Sequence, residues 1–209
     1  MLKCFSRLAA ALALAASPVA PARAAEAFDY YLLALTWTPG WCLAEGDDRS
    51  EQCDPRRDLG FTLHGLWPQY EQGWPEDCPA RVPDPTRRQT AAMADIMGSG
   101  GLAWYEWKKH GRCTGLDART YFAQARRVYE ALALPAPTDG AATAEALEAA
   151  FRALNPGLKP DHMIVTCRAG TVQEVRICLT PDLALRACAP DVLSDACRDR
   201  GPLDLPPIP

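Results

Sequence analysis

The chain has 209 residues, of which 48% are hydrophobic and 23% are charged, and its formal net charge at pH 7 is −4. A chain of this length ordinarily folds as one domain with a sizeable core. The acidic balance argues against broad electrostatic binding to duplex nucleic acid, which needs a basic face. A nuclease acting on single strands can still work with a few local cations and stacking aromatics.

Residues 1–24 have the features of a signal peptide. They combine a basic start, an apolar stretch over 8–20 and the small-x-small triplet 22–24 (ARA). We predict cleavage after this triplet, which leaves 25–209 as a single domain. The segment removed carries three basic residues and no acidic one, so the net charge falls from −4 to −7. No later segment has the roughly 20 apolar residues of a membrane span, and the mature protein is expected to be soluble and secreted or periplasmic.

Eight of the nine cysteines belong to the predicted mature chain. An even number behind a secretion signal favours disulfides formed in an oxidising compartment. Zinc binding is the competing interpretation, but the sequence has neither a Cys-x-x-Cys pair nor a His-Glu-x-x-His motif. Eight cysteines allow 105 pairings, and their spacing alone leaves the choice open. The eight are Cys42, Cys53, Cys78, Cys113, Cys167, Cys178, Cys188 and Cys197.

The first part of the mature chain indicates two strands separated by turn-forming and polar residues. The segment 28–37 is apolar and rich in aromatics, and 38–40 (TPG) follows it as a turn. A charged surface loop over 45–58 leads to a second strand over 59–66, which carries a histidine near its end. Prolines and polar residues over 68–85 predict a long loop of the kind that shapes a binding cleft.

Apolar residues at helical spacing predict four helices in the middle of the chain. The pair 84–85 (DP) fits the cap and first turn of the first helix, over 86–97. The second helix begins near Leu102, and the other two cover 121–132 and 146–154. Their apolar stripes are typical of core packing rather than of cofactor contacts.

Two strands at 163–167 and 172–179, joined by 168–170 (RAG), then predict a hairpin. The proline-rich tail is expected to extend over the surface. The sequence has no internal repeat and no linker. The order of strands, helices and strands predicts an α+β fold with a mainly antiparallel central sheet packed against several helices and held by disulfides.

Two of the three histidines lie among bulky aromatic residues, in 61–68 (FTLHGLWP) and 104–111 (WYEWKKHG). Histidine has an ordinary pKa of about 6.5 and exists in both protonation states near neutral pH. If His64 and His110 meet in one cleft, they could take up a proton and return one in a single reaction. The third, His162, lies in a loop before a strand and is interpreted as incidental.

A helix over the second segment places Glu106, Lys109 and His110 on one face. A carboxyl, an ammonium and an imidazole together suit phosphoryl transfer, in which negative charge builds up while protons move. The alternative for Glu106 and Lys109 is an ordinary ion pair on the helix surface. The alternative for His64 is an ordinary packed side chain. Trp104 and Trp107 argue against a solvated helix face.

At these residues the sequence resembles a known family. The segments 61–68 (FTLHGLWP) and 106–113 (EWKKHGRC) are similar to the two active-site segments of the ribonuclease T2 family, in order and in separation. The likeness continues in 28–37 (FDYYLLALTW), which resembles the family's first strand, and in 174–179 (EVRICL), which resembles its late strand running into a cysteine. The resemblance covers nearly the whole mature chain and implies the family's α+β fold.

The resemblance also implies four disulfides. The implied pairs are Cys42 with Cys53, Cys78 with Cys113, Cys167 with Cys197, and Cys178 with Cys188. The bond between Cys78 and Cys113 would tie the two histidine segments together.

The mechanism implied by the resemblance uses no metal and no cofactor. His110 would be the base that removes the proton of an RNA 2′-hydroxyl, and His64 the acid that protonates the departing 5′-oxygen. The product would be a 2′,3′-cyclic phosphate, which water opens in a slower second step. Glu106 and Lys109 would stabilise the charged phosphorus. DNA lacks the 2′-hydroxyl and is expected to remain uncut.

Four residues are assigned to substrate binding: Trp67, Gln69, Trp74 and Tyr105. Trp67 matches the family's base-stacking residue, with a buried core tryptophan as the alternative, and Trp74 offers a second face to the base. Gln69 stands where the family has an aspartate, so the base preference can shift. Tyr105 replaces a common histidine and cannot carry positive charge, so weaker phosphate binding is expected.

The sequence therefore predicts a monomeric endoribonuclease that cleaves single-stranded RNA with little base specificity and has no membrane partner. One alternative is a catalytically inactive, secreted binding protein on the same scaffold, which the presence of both histidines, the glutamate and the lysine disfavours. A metal-dependent phosphodiesterase is the second alternative. Cleavage of RNA in excess EDTA distinguishes the three.

Overall fold

The structure is a computed structural model, and it describes residues 27–46, 49–136 and 140–208. The predicted signal peptide, 1–24, lies outside the described residues. Among the helices of the described ranges, none is long and apolar enough to cross a membrane.

One six-stranded sheet organises the described residues. Its strands are β1 (Tyr30–Trp37), β2 (Phe61–Gln69), β3 (Ala141–Ala142), β4 (Met163–Arg168), β5 (Thr171–Leu179) and β6 (Leu203–Asp204). Strand β1 lies between β2 and β5, and β4 pairs with β5 as the predicted hairpin. All pairs are antiparallel except the short contact between β5 and β6. The predicted α+β fold with a mainly antiparallel sheet is confirmed.

Seven α-helices accompany the sheet in the described ranges. They are α1 (Thr38–Ala44), α2 (Arg87–Ala91), α3 (Ala94–Met97), α4 (Gly100–Lys109), α5 (Ala118–Glu130), α6 (Ala144–Leu154) and α7 (Pro190–Ser194).

Strand β1 is buried on both faces because an apolar cluster covers each face of the sheet at this strand. Its odd-numbered residues from Tyr31 to Trp37 join the main core with the helices. Tyr30 and Leu32 point the other way into a smaller apolar cluster, which Ile164 of β4 completes. The alternation of side chains along a strand thus serves two separate clusters.

Helix α5 fastens the outer strand β2 to the core. The hydroxyl of Tyr121 donates to the carbonyl of Leu66 at 3.1 Å, and the hydroxyl of Tyr129 donates to the carbonyl of Phe61 at 2.8 Å. Tyr121 also packs edge-on against Trp107 of α4, with ring centroids 5.7 Å apart. These contacts fix α4 beside β2, which brings the two histidine segments together.

Four disulfides form, in the pairing that the resemblance implies. They are Cys42–Cys53, Cys78–Cys113, Cys167–Cys197 and Cys178–Cys188. Cys78 lies in the loop after β2 and Cys113 just beyond α4, so their bond joins the two histidine segments as expected.

The prediction of a turn at 38–40 is wrong, because these residues begin helix α1. Pro39 fits the first helical turn, where its missing N–H is not needed, and Thr38 is buried. The second strand also continues to Gln69, three residues further than predicted, so the long loop begins later.

The predicted helix over 86–97 is two short helices, α2 and α3, with a break at Ala92 and Met93. Its cap is Thr86, whose side chain accepts from the N–H of Gln89 at 3.3 Å, and not Asp84 as predicted. Asp84 instead accepts hydrogen bonds from Trp107 at 2.9 Å and from Arg112 at 2.8 Å. Asp84 therefore bonds to residues distant in the sequence instead of capping the helix that follows it.

The tail does not simply extend over the surface, which corrects the prediction. Leu203, Leu205 and Pro206 are buried, and the indole N–H of Trp37 donates to the carbonyl of Pro206 at 3.0 Å. Alternating leucines let strand β6 add to the sheet while pointing apolar side chains into the core.

Candidate active site

His64 occupies a bulge in strand β2. Ala34 of β1 pairs with Gly65 and the next residue, Leu35, pairs with Leu63, so His64 is the extra residue on its strand. A bulge of this kind redirects a side chain out of the regular alternation. The His64 side chain is 31% exposed and lines a cleft of about 400 Å³.

Helix α4 presents the second histidine segment to the same cleft. The side chain of Ser99 accepts from the N–H of Leu102 at 3.0 Å and begins the helix, and His110 closes it by donating its N–H to the carbonyl of Glu106 at 2.9 Å. Glu106 is 1% exposed and His110 is 6% exposed. The face of α4 that carries them is therefore buried and not solvated.

All eight residues predicted to form the catalytic and binding sites line this one cleft. They are His64, Trp67, Gln69, Trp74, Tyr105, Glu106, Lys109 and His110. The cleft is also lined by Leu32 of β1, Arg176 of β5 and the acidic segment around α7, with Asp191 and Asp195.

Trp67 contacts both imidazoles. Its ring centroid lies 5.1 Å from that of His64 and 5.1 Å from that of His110. The indole N–H donates to Oε2 of Glu106 at 2.5 Å. Trp67 therefore holds three of the predicted catalytic groups around one side chain, and its role in base stacking stays a prediction.

Two carboxylates flank His64. Its Nδ1 lies 2.5 Å from Oε1 of Glu174, and its Nε2 lies 3.5 Å from Oε1 of Glu106. Burial lowers the pKa of His64, but the hydrogen bond and charge of Glu174 and the charge of Glu106 outweigh this and raise the pKa above the ordinary 6.5. The protonated form of His64 is favoured in the cleft.

His110 has the opposite electrostatic environment. Burial, the positive charge of Lys109 and the charge of protonated His64 lower its pKa to about 4. Glu76 and the backbone of Pro75 oppose this shift only weakly, and the buried Nδ1 has no hydrogen-bond partner of ordinary geometry among the described residues. His110 is therefore neutral near pH 7, whereas its neighbours shift His64 toward the protonated form.

The glutamate and lysine of α4 do not form the surface ion pair that was the alternative. Glu106 bonds to Trp67, and burial raises its pKa although nearby His64 opposes this. Lys109 points to the rim, where its Nζ lies 3.5 Å from Glu76 and 5.8 Å from the ring centre of Tyr105. A hydrogen bond with Tyr105 raises the pKa of Lys109, so the ammonium stays charged.

The remaining binding candidates differ in accessibility. Trp74 is 55% exposed and Tyr105 is 52% exposed, so both can meet a ligand at the cleft entrance. Gln69 is buried, and its amide donates to the carbonyl of Pro68 at 3.0 Å. It lines the floor of the cleft.

The sequence analysis did not identify Glu174 and Arg176 as site residues. Arg112, two residues after His110 in the sequence, pairs with Asp84 and does not line the cleft. Arg176 does line it, with its Cζ 5.8 Å from the ring centre of Trp67. The available signal was two charged residues at i and i+2 in a strand whose other residues are mostly apolar and buried.

Comparison with known proteins assigns the class of this fold and site. Residues 28–188 match the Ribonuclease T2 family, and the chain belongs to that family. A ribonuclease of Aeromonas hydrophila is 45% identical over 94 residues, which are 45% of this chain and 41% of that protein. Ribonuclease I of Escherichia coli strain K12 is 31% identical over 172 residues, covering 58% of this chain and 63% of that protein. The matched parts span less than two thirds of these relatives.

Solved structures with the same fold have low sequence identity. An RNase-related protein from Calystegia sepium matches with a TM-score of 0.67 and 22% identity, covering 87% of this chain and 98% of that chain. Trichomaglin, an S-like ribonuclease, matches with a TM-score of 0.68 and 20% identity, covering 88% of this chain and 100% of that chain. These likenesses establish the fold.

Proposed function

We propose that the protein is a metal-independent endoribonuclease that cleaves single-stranded RNA by transesterification, with little base specificity. The main support for this proposal is that two imidazoles line one cleft and have pKa values shifted in opposite directions. A proton acceptor and a proton donor are thus available at the same pH.

In the first step neutral His110 accepts the proton of the 2′-hydroxyl while the 2′-oxygen attacks phosphorus. The bond from phosphorus to the 5′-oxygen breaks, and Nε2 of protonated His64 gives its proton to that oxygen. The products are a 2′,3′-cyclic phosphate and a strand with a free 5′-hydroxyl. Each proton transfer is typically worth about 10²–10⁴ in rate.

In the second step the histidines exchange roles. His64, now neutral, accepts a proton from water, the hydroxide attacks phosphorus, and His110 returns a proton to the 2′-oxygen as its bond to phosphorus breaks. A 3′-phosphate results, and both side chains regain their starting protonation states.

Glu106 and Lys109 stabilise the pentacoordinate phosphorus in this proposal. Lys109 supplies positive charge from the rim of the cleft. Glu106 acts through a hydrogen bond to phosphate, which its raised pKa favours, or by tuning the two histidines. DNA lacks the attacking hydroxyl and remains uncut.

The aromatic lining of the cleft supports binding of single-stranded RNA with low base specificity. Trp74 and Tyr105 are exposed, and any base offers a face for stacking on such rings. Solved proteins with this fold include RNase NT in complex with 5′-AMP and an RNase MC1 mutant in complex with 5′-UMP. We infer that Trp67, Gln69, Trp74 and Tyr105 contact bases and phosphates here.

We further propose that residues 25–209 act as a secreted or periplasmic, monomeric catalytic domain. Four disulfides support an oxidising compartment.

The proposal is tested by incubating the purified protein with RNA in excess EDTA and analysing the product ends. Cleavage that persists and yields 2′,3′-cyclic phosphates is expected. Cleavage that EDTA abolishes would support a metal-dependent phosphodiesterase instead. No cleavage with or without EDTA would support an inactive binding protein.

A further inference from the structure

Glu174 on strand β5 is a buried carboxylate with both oxygens engaged. It is 6% exposed, its Oε1 lies 2.5 Å from Nδ1 of His64, and its Oε2 accepts from Nε of Arg176 at 2.8 Å. Its backbone N–H also donates to the hydroxyl of Thr166 at 3.1 Å. The carboxylate is therefore held on the side of the imidazole opposite to Glu106.

Arg176 connects this carboxylate to the segment that follows α7. Its Nη1 donates to Oδ2 of Asp195, just beyond α7, at 3.0 Å. Burial raises the pKa of Glu174, but the hydrogen bond and charge of His64 and the charge of Arg176 outweigh it and lower the pKa below the ordinary value. Glu174 is thus ionised and hydrogen-bonded at each oxygen.

We propose that Glu174 is a positioning residue for the cleavage reaction. It holds His64 with Nδ1 protonated and Nε2 directed at the scissile phosphodiester. This inference rests on the proposed function, because His64 is the acid there. The hydrogen bond at one ring nitrogen decides which nitrogen carries the proton of the neutral ring. With Nδ1–H given to Glu174, Nε2 is the atom that delivers a proton to the 5′-oxygen and later accepts one from water.

The charge of Glu174 also extends the pH range in which His64 is protonated. The charged and titratable groups that face His64 are Glu174, Glu106, Arg176 and His110. Glu174 is the one bonded directly to the ring, with 2.5 Å between its Oε1 and Nδ1 of His64, and hydrogen bonds between ionised groups are stronger than neutral ones. Replacing Glu174 by a residue of the same shape without charge isolates the contribution of that charge to the pKa of His64.

Glu174→Gln is the variant that tests the inference. We expect the pKa of His64, followed by NMR, to fall, and the alkaline limb of kcat/KM for RNA cleavage to move to lower pH by a similar amount. Cleavage at pH 7.5 should then fall about tenfold or more, whereas cleavage at pH 5 changes little. A purely structural role would reduce activity equally at both pH values.

Glu148→Gln is the matched control, because Glu148 is a half-buried glutamate of α6 that accepts from the backbone of Val165 at 3.2 Å, away from the cleft. It should leave the pH profile unchanged. Ring ¹⁵N signals of His64 in the unaltered protein provide a second test that needs no variant. They should show a protonated Nδ1 in the neutral ring.

Two results would overturn the inference: a neutral His64 protonated at Nε2 in the unaltered protein, or an unchanged His64 pKa and alkaline limb in folded Glu174→Gln. If the unaltered protein does not cleave RNA, the proposed function fails, and the ring signals still decide the role of Glu174.

Discussion

At the residue scale, the imidazoles of His64 and His110 lie in one cleft and have pKa values shifted in opposite directions. Glu174 and Glu106 favour the protonated form of His64, whereas burial and Lys109 favour the neutral form of His110. Trp67 packs on both rings and keeps them in one site. The acid and base roles that we propose for the two histidines thus depend on their neighbours and not on residue type.

The hydroxyl of Tyr105 is expected to contribute to RNA binding. Tyr105→Phe should raise KM for RNA about two- to tenfold with kcat little changed, because the net contribution of one hydrogen bond is about 0.5–1.5 kcal/mol. Steady-state kinetics at fixed ionic strength measure this. Tyr70→Phe, outside the lining of the cleft, is the control. Wild-type kinetics in Tyr105→Phe would show that the hydroxyl is idle.

At the element scale, the bulge in β2 and the end of α4 place the catalytic candidates. Gly65 follows the bulged histidine, and a Cβ there would lie under 3.0 Å from Nε1 of Trp67 and Oε2 of Glu106. The absence of a side chain at this point is what allows the indole and the carboxylate to meet behind His64.

Gly65→Ala should therefore separate Trp67 from Glu106 and lower kcat/KM about 10²-fold, the usual order for misplacing catalytic groups by about 1 Å. Gly201→Ala is a matched control, since a Cβ at Gly201 meets only open space. Circular dichroism would establish that both variants are folded. Unaltered cleavage by Gly65→Ala would contradict the assignment of Glu106.

Local patterns in the sequence predicted most strands and helices, and the motifs around His64 and His110 identified every residue of α4 and β2 that lines the cleft. The carboxylate partner of His64 could not be found in this way, because Glu174 lies 110 residues away and the contact exists only after β5 pairs with β1. Asp84 was misassigned for the same reason, since its partners lie on α4 and beyond.

At the scale of the whole molecule, disulfides connect the elements that carry the site. The Cys78–Cys113 bond closes a separation of 35 residues between the loop after β2 and the end of α4. The Cys42–Cys53 bond closes only 11 residues and does not border the cleft.

Replacing Cys78 and Cys113 together by alanine should lower the free energy of unfolding by about 4 kcal/mol, and replacing Cys42 and Cys53 by about 3 kcal/mol, since longer closed loops contribute more. Denaturant unfolding measures both. RNA cleavage should fall in the first variant alone, because that bond anchors the segment containing His110. Equal loss of activity in both variants would contradict this role.

The pH dependence of kcat/KM for RNA, in the unaltered protein and in His64→Ala and His110→Ala, tests the proposed acid and base roles of the two histidines together. We predict a bell-shaped profile whose acid limb lies near pH 4, where His110 becomes protonated and can no longer accept, and whose alkaline limb lies above pH 6.5, where His64 loses the proton it must donate. Each variant should cleave RNA about 10²–10⁴-fold more slowly than the unaltered protein. The limb of the pH profile that belongs to the replaced histidine should disappear. Undiminished cleavage in either variant, or an unchanged pair of limbs, would contradict the account.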